Sequence, residues 1–295
     1  MPLALRRILS TGTTRAFTRN GVLLMVVYAF VSLVQGGFVW ALTTTYIPMG
    51  IPGATSGLGP PAGGHLPLSV SLQTIPLGIV TGGLITLPVH IVAVRVFAVR
   101  SQTSVSDELV LYRLGLATLN MLLAALLKVV LLTIVEFGCL LGAIAVALYL
   151  DSTAVLSLLT TTSGKLILGA TFVVLSLPAV YLALSLEFLS QEIALHDRNF
   201  VAALRNSWLL ASGNRLRILA LVLLPMGGQL LLSFLLASQG SFPGTVGSLQ
   251  FIALQGTLGI EGAVVAMVFV AIMTTAYRDL RDERVSGESY GWETS

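Results

Sequence analysis

Six long apolar runs, separated by segments that hold nearly all of the charge, organise the 295 residues. A helix needs about 20 mostly apolar residues to cross the hydrocarbon of a bilayer. The pattern predicts spans at 22–42, 75–94, 116–150, 166–186, 218–238 and 249–277. The first run exceeds the roughly 7–15 residues of a signal peptide's apolar region, and it leads into Trp40 and Thr43–Thr45 without an Ala-x-Ala cleavage site, so it reads as an uncleaved span. The third run, 114–150, would reach roughly 55 Å as a helix. It is therefore strongly tilted, or its first part lies at or beyond the cytoplasmic surface, with Lys128 marking the boundary. Pro88, Pro178 and Pro225 fall inside spans, where kinks are tolerated.

Composition sharpens this reading. Apolar residues make up 55% of the chain and charged residues 10%, against about 25% charged in a soluble domain. Such a chain cannot clothe a water-facing surface. A soluble enzyme, a DNA-binding domain and a disordered protein are excluded. The expected fold is an all-α polytopic transmembrane helix bundle: one transmembrane domain over 1–285 and a disordered cytoplasmic tail over 286–295.

Charge placement sets the orientation. Four arginines fall in the leader before the first span, three in 95–113, four in 187–217 and three after the last span. The intervening loops hold Lys165 alone. The positive-inside rule makes the arginine-bearing side cytoplasmic, so both termini are expected inside a cell membrane. The 43–74 loop then lies outside; it is rich in Gly and Pro and reads as irregular structure. Cys139 is the only cysteine, so no intramolecular disulfide can form.

A short amphipathic helix is expected between spans four and five, over 199–212. Phe200, Val201, Leu204 and Trp208 recur there at helical spacing, with Arg205 and Asn206 beside them, and Gly213 supplies a stop. Arg198, Arg205, Trp208, Arg215 and Arg217 are the candidate lipid-interface residues: Trp208 at headgroup depth, the arginines against phosphates. The plainer reading of this basic cluster is a topological anchor.

Three ionisable residues fall within apolar runs: Lys128, Glu136 and Glu261. Each costs about 2.5–3.5 kcal/mol at the bilayer centre by insertion scales, so each needs a partner, a proton or water. Lys128 can snorkel. Glu136 lies about 80° around and about 12 Å along the helix from Lys128, so the two cannot pair directly. Glu261 sits among Gly256, Gly259 and Gly262, which permit close helix approach. These carboxyls read either as packing elements or as a proton or cation relay.

Enzymatic motifs fail on context. Gly287-Glu-Ser289-Tyr-Gly291 matches a nucleophile elbow literally but lies in a polar tail, not between a strand and a helix. Around Lys165, leucine occupies both the first glycine position of a phosphate loop and its Ser/Thr position. His65, His90 and His196 lie in separate segments, without metal-ligand spacing. No cofactor, catalytic residue or nucleic-acid partner is expected.

The stretch 199–217 carries Ala203, Leu204, Ser207, Trp208, Leu210, Gly213 and Asn214 in the pattern Ala-Leu-x-x-Ser-Trp-x-Leu-x-x-Gly-Asn. Here the chain resembles uncharacterised six-helix integral membrane proteins of haloarchaea. More distantly it is similar to the membrane domain attached to some glycerophosphoryl diester phosphodiesterases. The resemblance implies a membrane module of unknown activity, without that enzyme's catalytic domain. The expected function is thus a non-catalytic, lipid-interacting or accessory module of a membrane complex. Its partners would be membrane lipids and a membrane protein or second copy of the chain. The alternative is a small transporter or ion-coupled permease using Glu136 and Glu261.

Overall fold

The computed structural model describes residues 4–46, 86–99, 111–149, 161–238 and 249–290. Among these residues the chain is helical, with no strand. Backbone polar groups removed from water must be satisfied within each segment, and a helix does this without a neighbour. The helices are α1 (Leu5–Ala16), α2 (Arg19–Tyr46), α3 (Thr86–Ala98), α4 (Leu114–Tyr149), α5 (Thr162–Ser185), α6 (Leu189–His196), α7 (Phe200–Ala211), α8 (Arg215–Ser238) and α9 (Leu249–Tyr290).

Three segments are long and apolar enough to cross a membrane: Leu114–Gly142, Val173–His196 and Gly259–Arg284. The number rises to five if each of two bent pairs, α1 with α2 at 72° and α7 with α8 at 100°, is one span. Helix α3 is apolar but shorter. The six apolar runs of the sequence correspond to α2, α3, α4, α5, α8 and α9. Most of the 43–74 loop and the first part of the second run, 75–85, lie outside the described residues.

The structure departs from the sequence reading in several places. The leader is not merely polar: Leu5, Ile8, Gly12 and Ala16 give it one apolar or small face, and it folds as α1 across α9. The contact is so close that a Cβ on Gly12 would meet the Ile272 Cα at 2.7 Å. Helix α3 does not stop at Arg95 but continues to Ala98. The third run agrees with its expected length: it is one helix of 36 residues through Lys128, about 54 Å long. Its first half packs on α6 and α7 through Ala117, Met121 and Ala124. Finally, 286–290, expected in a disordered tail, continues α9 as helix. Once a helix is nucleated, each added residue costs little, and one glycine costs only about 1 kcal/mol. Residues 291–295 lie outside the described residues.

Two buried clusters hold the bundle. One joins Ile91, Val94 and Phe97 of α3 to Met121 of α4, Ile193 of α6 and Met267 of α9. The other joins Ile8, Phe188, Leu210, Ile218, Ile272 and Tyr277. Helix α9 runs through both. In the most apolar stretch of α9, 56% of residues are buried, against 11% in α4, so α9 is the central helix and α4 a peripheral one. Elsewhere large apolar side chains face outward, among them Val26, Phe30, Leu141 and Leu230. Outward-facing apolar side chains on helices long enough to span are suited to acyl chains as their solvent.

Candidate functional site

The ionisable groups converge where α1, α6 and α7 meet the ends of α3, α5 and α9. Helix α5 stops at Ser185, and α6 begins after Glu187 and Phe188. This break turns Glu192 inward, leaving it 3% exposed. Its Oε1 accepts hydrogen bonds from the Tyr277 hydroxyl (2.8 Å) and Arg281 Nη1 (3.2 Å). Its Oε2 faces Arg198 Nη1 at 3.5 Å and accepts from Asn206 Nδ2 at 3.4 Å. Arg281 Nη1 also donates to the Tyr277 hydroxyl at 2.6 Å and lies 3.2 Å from His196 Nδ1. A buried carboxylate survives desolvation only when its lone pairs are filled in this way.

A second set of arginines caps helix ends. The last carbonyls of a helix have no partner within it. Arg95 is buried within α3; its Nε donates to the Ala194 carbonyl in the last turn of α6 (2.8 Å) and its Nη1 to the Tyr112 carbonyl (2.7 Å). Its Nη2 lies 3.4 Å from Asp197 Oδ1. Arg15 of α1 and Arg278 of α9 donate to Phe97 O (2.9 Å) and Ala98 O (2.6 Å), the end of α3. Each such guanidinium replaces water at a helix C-terminus, where positive charge is favoured. Arg7 adds a surface bridge to Asp279 at 2.7 Å.

Helix α7 forms as expected, with the Asn199 side chain accepting from Ala202 N and Gly213 at φ +83° turning the chain into α8. Its protein-facing side is lined mainly by small residues. Ala203, Ser207, Leu210 and Ala211 are buried, whereas Val201, Trp208 and Leu209 point outward. Small side chains let α7 approach its neighbours closely, and the Ser207 hydroxyl donates to Ser185 O at 3.0 Å. The large apolar groups are left for the outer side.

The candidate interface residues therefore divide. Arg215 is engaged internally: Nε donates to Ser185 Oγ at 3.0 Å, and the guanidinium lies 4.2 Å over Tyr181 and 5.4 Å from the Trp208 ring. Trp208 meets Tyr181 edge to face at 5.7 Å. Arg217 Nη1 donates to Asn214 Oδ1 at 3.4 Å, and Arg198 neighbours Glu192. Arg205 is exposed and engages no other described residue. Arg198, Val201, Arg205 and Leu209 border an open cleft of about 480 Å³.

Of the intramembrane candidates, Lys128 Nζ lies 3.5 Å from Glu187 Oε2, a partner the sequence reading did not consider. Glu136 is exposed on α4. Glu261 is half-buried on α9, where Gly259 fits against Leu33 of α2. The structure does not bring the two carboxyls together: α4 packs on α5, α6 and α7, while α9 packs on α1, α2 and α8.

Arg95, Glu187, Glu192 and Tyr277 were missed. Arg95 did carry a signal, standing between Val94 and Val96-Phe97 in a run that stays apolar. Glu192 carried little, because it lies in the short connection between the fourth apolar run and the amphipathic helix, and only the break at 186–188 folds it inward.

No cluster of three or more His, Cys, Asp or Glu side chains suited to a metal ion occurs among the described residues. No curated protein and no solved structure matches the chain. The family model described as "Domain of unknown function (DUF7847)" matches residues 3–280, nearly the whole length, and the chain belongs to that family.

Proposed function

We propose that this protein is a non-catalytic, multi-pass module of the cell membrane. In this reading it crosses six times with both termini cytoplasmic, and α7 lies in the anionic headgroup layer of the inner leaflet. The outer side of α7 carries the proposal. Val201, Trp208 and Leu209 are exposed beside an exposed Arg205. Apolar groups entering the acyl boundary next to a guanidinium at phosphate height is the arrangement of an interfacial helix. The arginine asymmetry between alternate loops supports the orientation. The likeness of 199–217 to haloarchaeal six-helix proteins supports a module role, with a membrane protein or second copy as further partner.

Retention of phosphatidylglycerol over phosphatidylcholine by the purified protein, read by native mass spectrometry, tests the lipid role. Arg205→Gln combined with Trp208→Ala should reduce the preference; an unchanged preference counts against α7 as the interface. Single cysteines at Ser56 and Ser289, in a Cys139→Ser background, should label from outside and inside respectively, and the reverse pattern overturns the orientation. A relay through Glu136 and Glu261 has weaker support, since the two stand on helices with different neighbours.

A further inference from the structure

We propose that the groove lined by α1, α8 and α9 binds one anionic membrane lipid, with its phosphate at Arg6 and an acyl chain along Gly228. This rests on the chain's being a membrane protein, but not on the role given to α7.

The groove measures about 690 Å³, within the roughly 300–1,000 Å³ of small-ligand sites. Its walls are apolar: Leu224 and Pro225 of α8 face Val264, Val268 and Ile272 of α9. Its floor is bare because α8 carries glycine there. A Cβ on Gly227 or Gly228 would meet nothing within 4 Å, so the protein leaves open a volume that any larger residue would fill.

Its polar lining comes from α1 and from Gln229. Residues 6, 10 and 13 lie on one side of α1, and Arg6, Ser10 and Thr13 all border the groove. The opposite side, with Ile8, Gly12 and Ala16, is buried. No carboxylate lines the groove. The guanidiniums near Arg6 on α1 are engaged, Arg7 by Asp279 and Arg15 by Phe97 O. Arg6 itself is exposed and engages no other described residue. An apolar trench bordered by one unopposed positive charge complements an amphiphile with an anionic head. A phospholipid satisfies both halves: the phosphate meets Arg6 by a charge-assisted hydrogen bond and the chain replaces water along the trench. A free phosphate satisfies only the first half.

The test uses the full-length protein in detergent, with phosphatidylglycerol as probe and retention read by native mass spectrometry. Arg6→Gln should weaken retention about tenfold, the equivalent of one charge-assisted contact. Gly228→Leu should remove a bound lipid with the melting temperature unchanged, because the new side chain enters open space. Glycerol 3-phosphate, which has the head without the chain, should not displace the lipid. Unchanged retention in both variants overturns the proposal, and so does displacement by glycerol 3-phosphate at similar concentration. A dimer lost on Gly228→Leu also overturns it, by assigning the groove to a second copy. If Arg205→Gln lowers retention while Arg6→Gln and Gly228→Leu do not, the groove fails and α7 stands. The converse spares the groove and removes α7.

Discussion

The junction around Glu192 and the outer side of α7 are adjacent, built from the same residue types, and opposite in state. At the junction nearly every charge is matched: Glu192 by Arg281 and the Tyr277 hydroxyl, and Arg95 by backbone carbonyls. On the outer side Arg205, Val201 and Leu209 stand exposed. In the first arrangement Glu192 and Arg95 are buried and find their partners within the protein. The second belongs to a surface that has left its partners to the surroundings. An arginine is thus no indicator of function in this molecule until its partner is known.

Mutation separates the two regions by size of effect. The largest effect is expected from Glu192→Ala, which strips Arg198, Arg281 and Tyr277 of their shared acceptor. Hydrogen bonds to a charged group contribute about 1.5–3 kcal/mol each, and Arg198 and Arg281 stay partly exposed, so the melting temperature in detergent should fall by several degrees. A variant melting like the parent would show the junction to be solvated.

Gly12→Leu should come next, at about 1–3 kcal/mol or more, because its side chain must displace the Ile272 backbone. Raised protease sensitivity within α1 would report the separation of α1 from α9. Arg95→Lys keeps the charge but cannot serve Ala194 O and Tyr112 O together, and should cost about 1–2 kcal/mol in the same melting assay. At the small end, Arg205→Gln and Glu136→Gln should each shift stability by no more than about 0.5 kcal/mol, as exposed substitutions do. The contrast sharpens if Arg205→Gln nevertheless changes lipid retention. It collapses if Arg205→Gln destabilises as much as Glu192→Ala.

Much of the helical layout was legible because a bilayer imposes its thickness on sequence. The described residues of every apolar run except the terminal Leu186 are helical, Pro178 and Pro225 sit inside unbroken helices, and Gly213 ends the α7 turn in a conformation that favours glycine. The candidate site was harder to read. The amphipathic pattern located α7, but it did not reveal which side chains pack inside the protein, since Trp208 and Val201 look the same whether they face protein or acyl chains. Ala203 and Ser207 were the buried ones, chosen for size rather than hydropathy. Local sequence suggests only that Lys128 snorkels, because its partner, Glu187, is 59 positions away.

Sequence alone determined that this chain is helical, apolar beyond what water tolerates, and charged on alternate connecting segments. Those properties follow from local periodicity and from transfer free energies that each residue carries with it. The tertiary structure alone decided which charges are spent within the protein and which remain open. That depends on helix breaks at 186–188 and 212–214 and on the close passage of α1 over α9 at Gly12. Pairings such as Glu192 with Arg281 span 89 positions, and they exist only once the helices have packed.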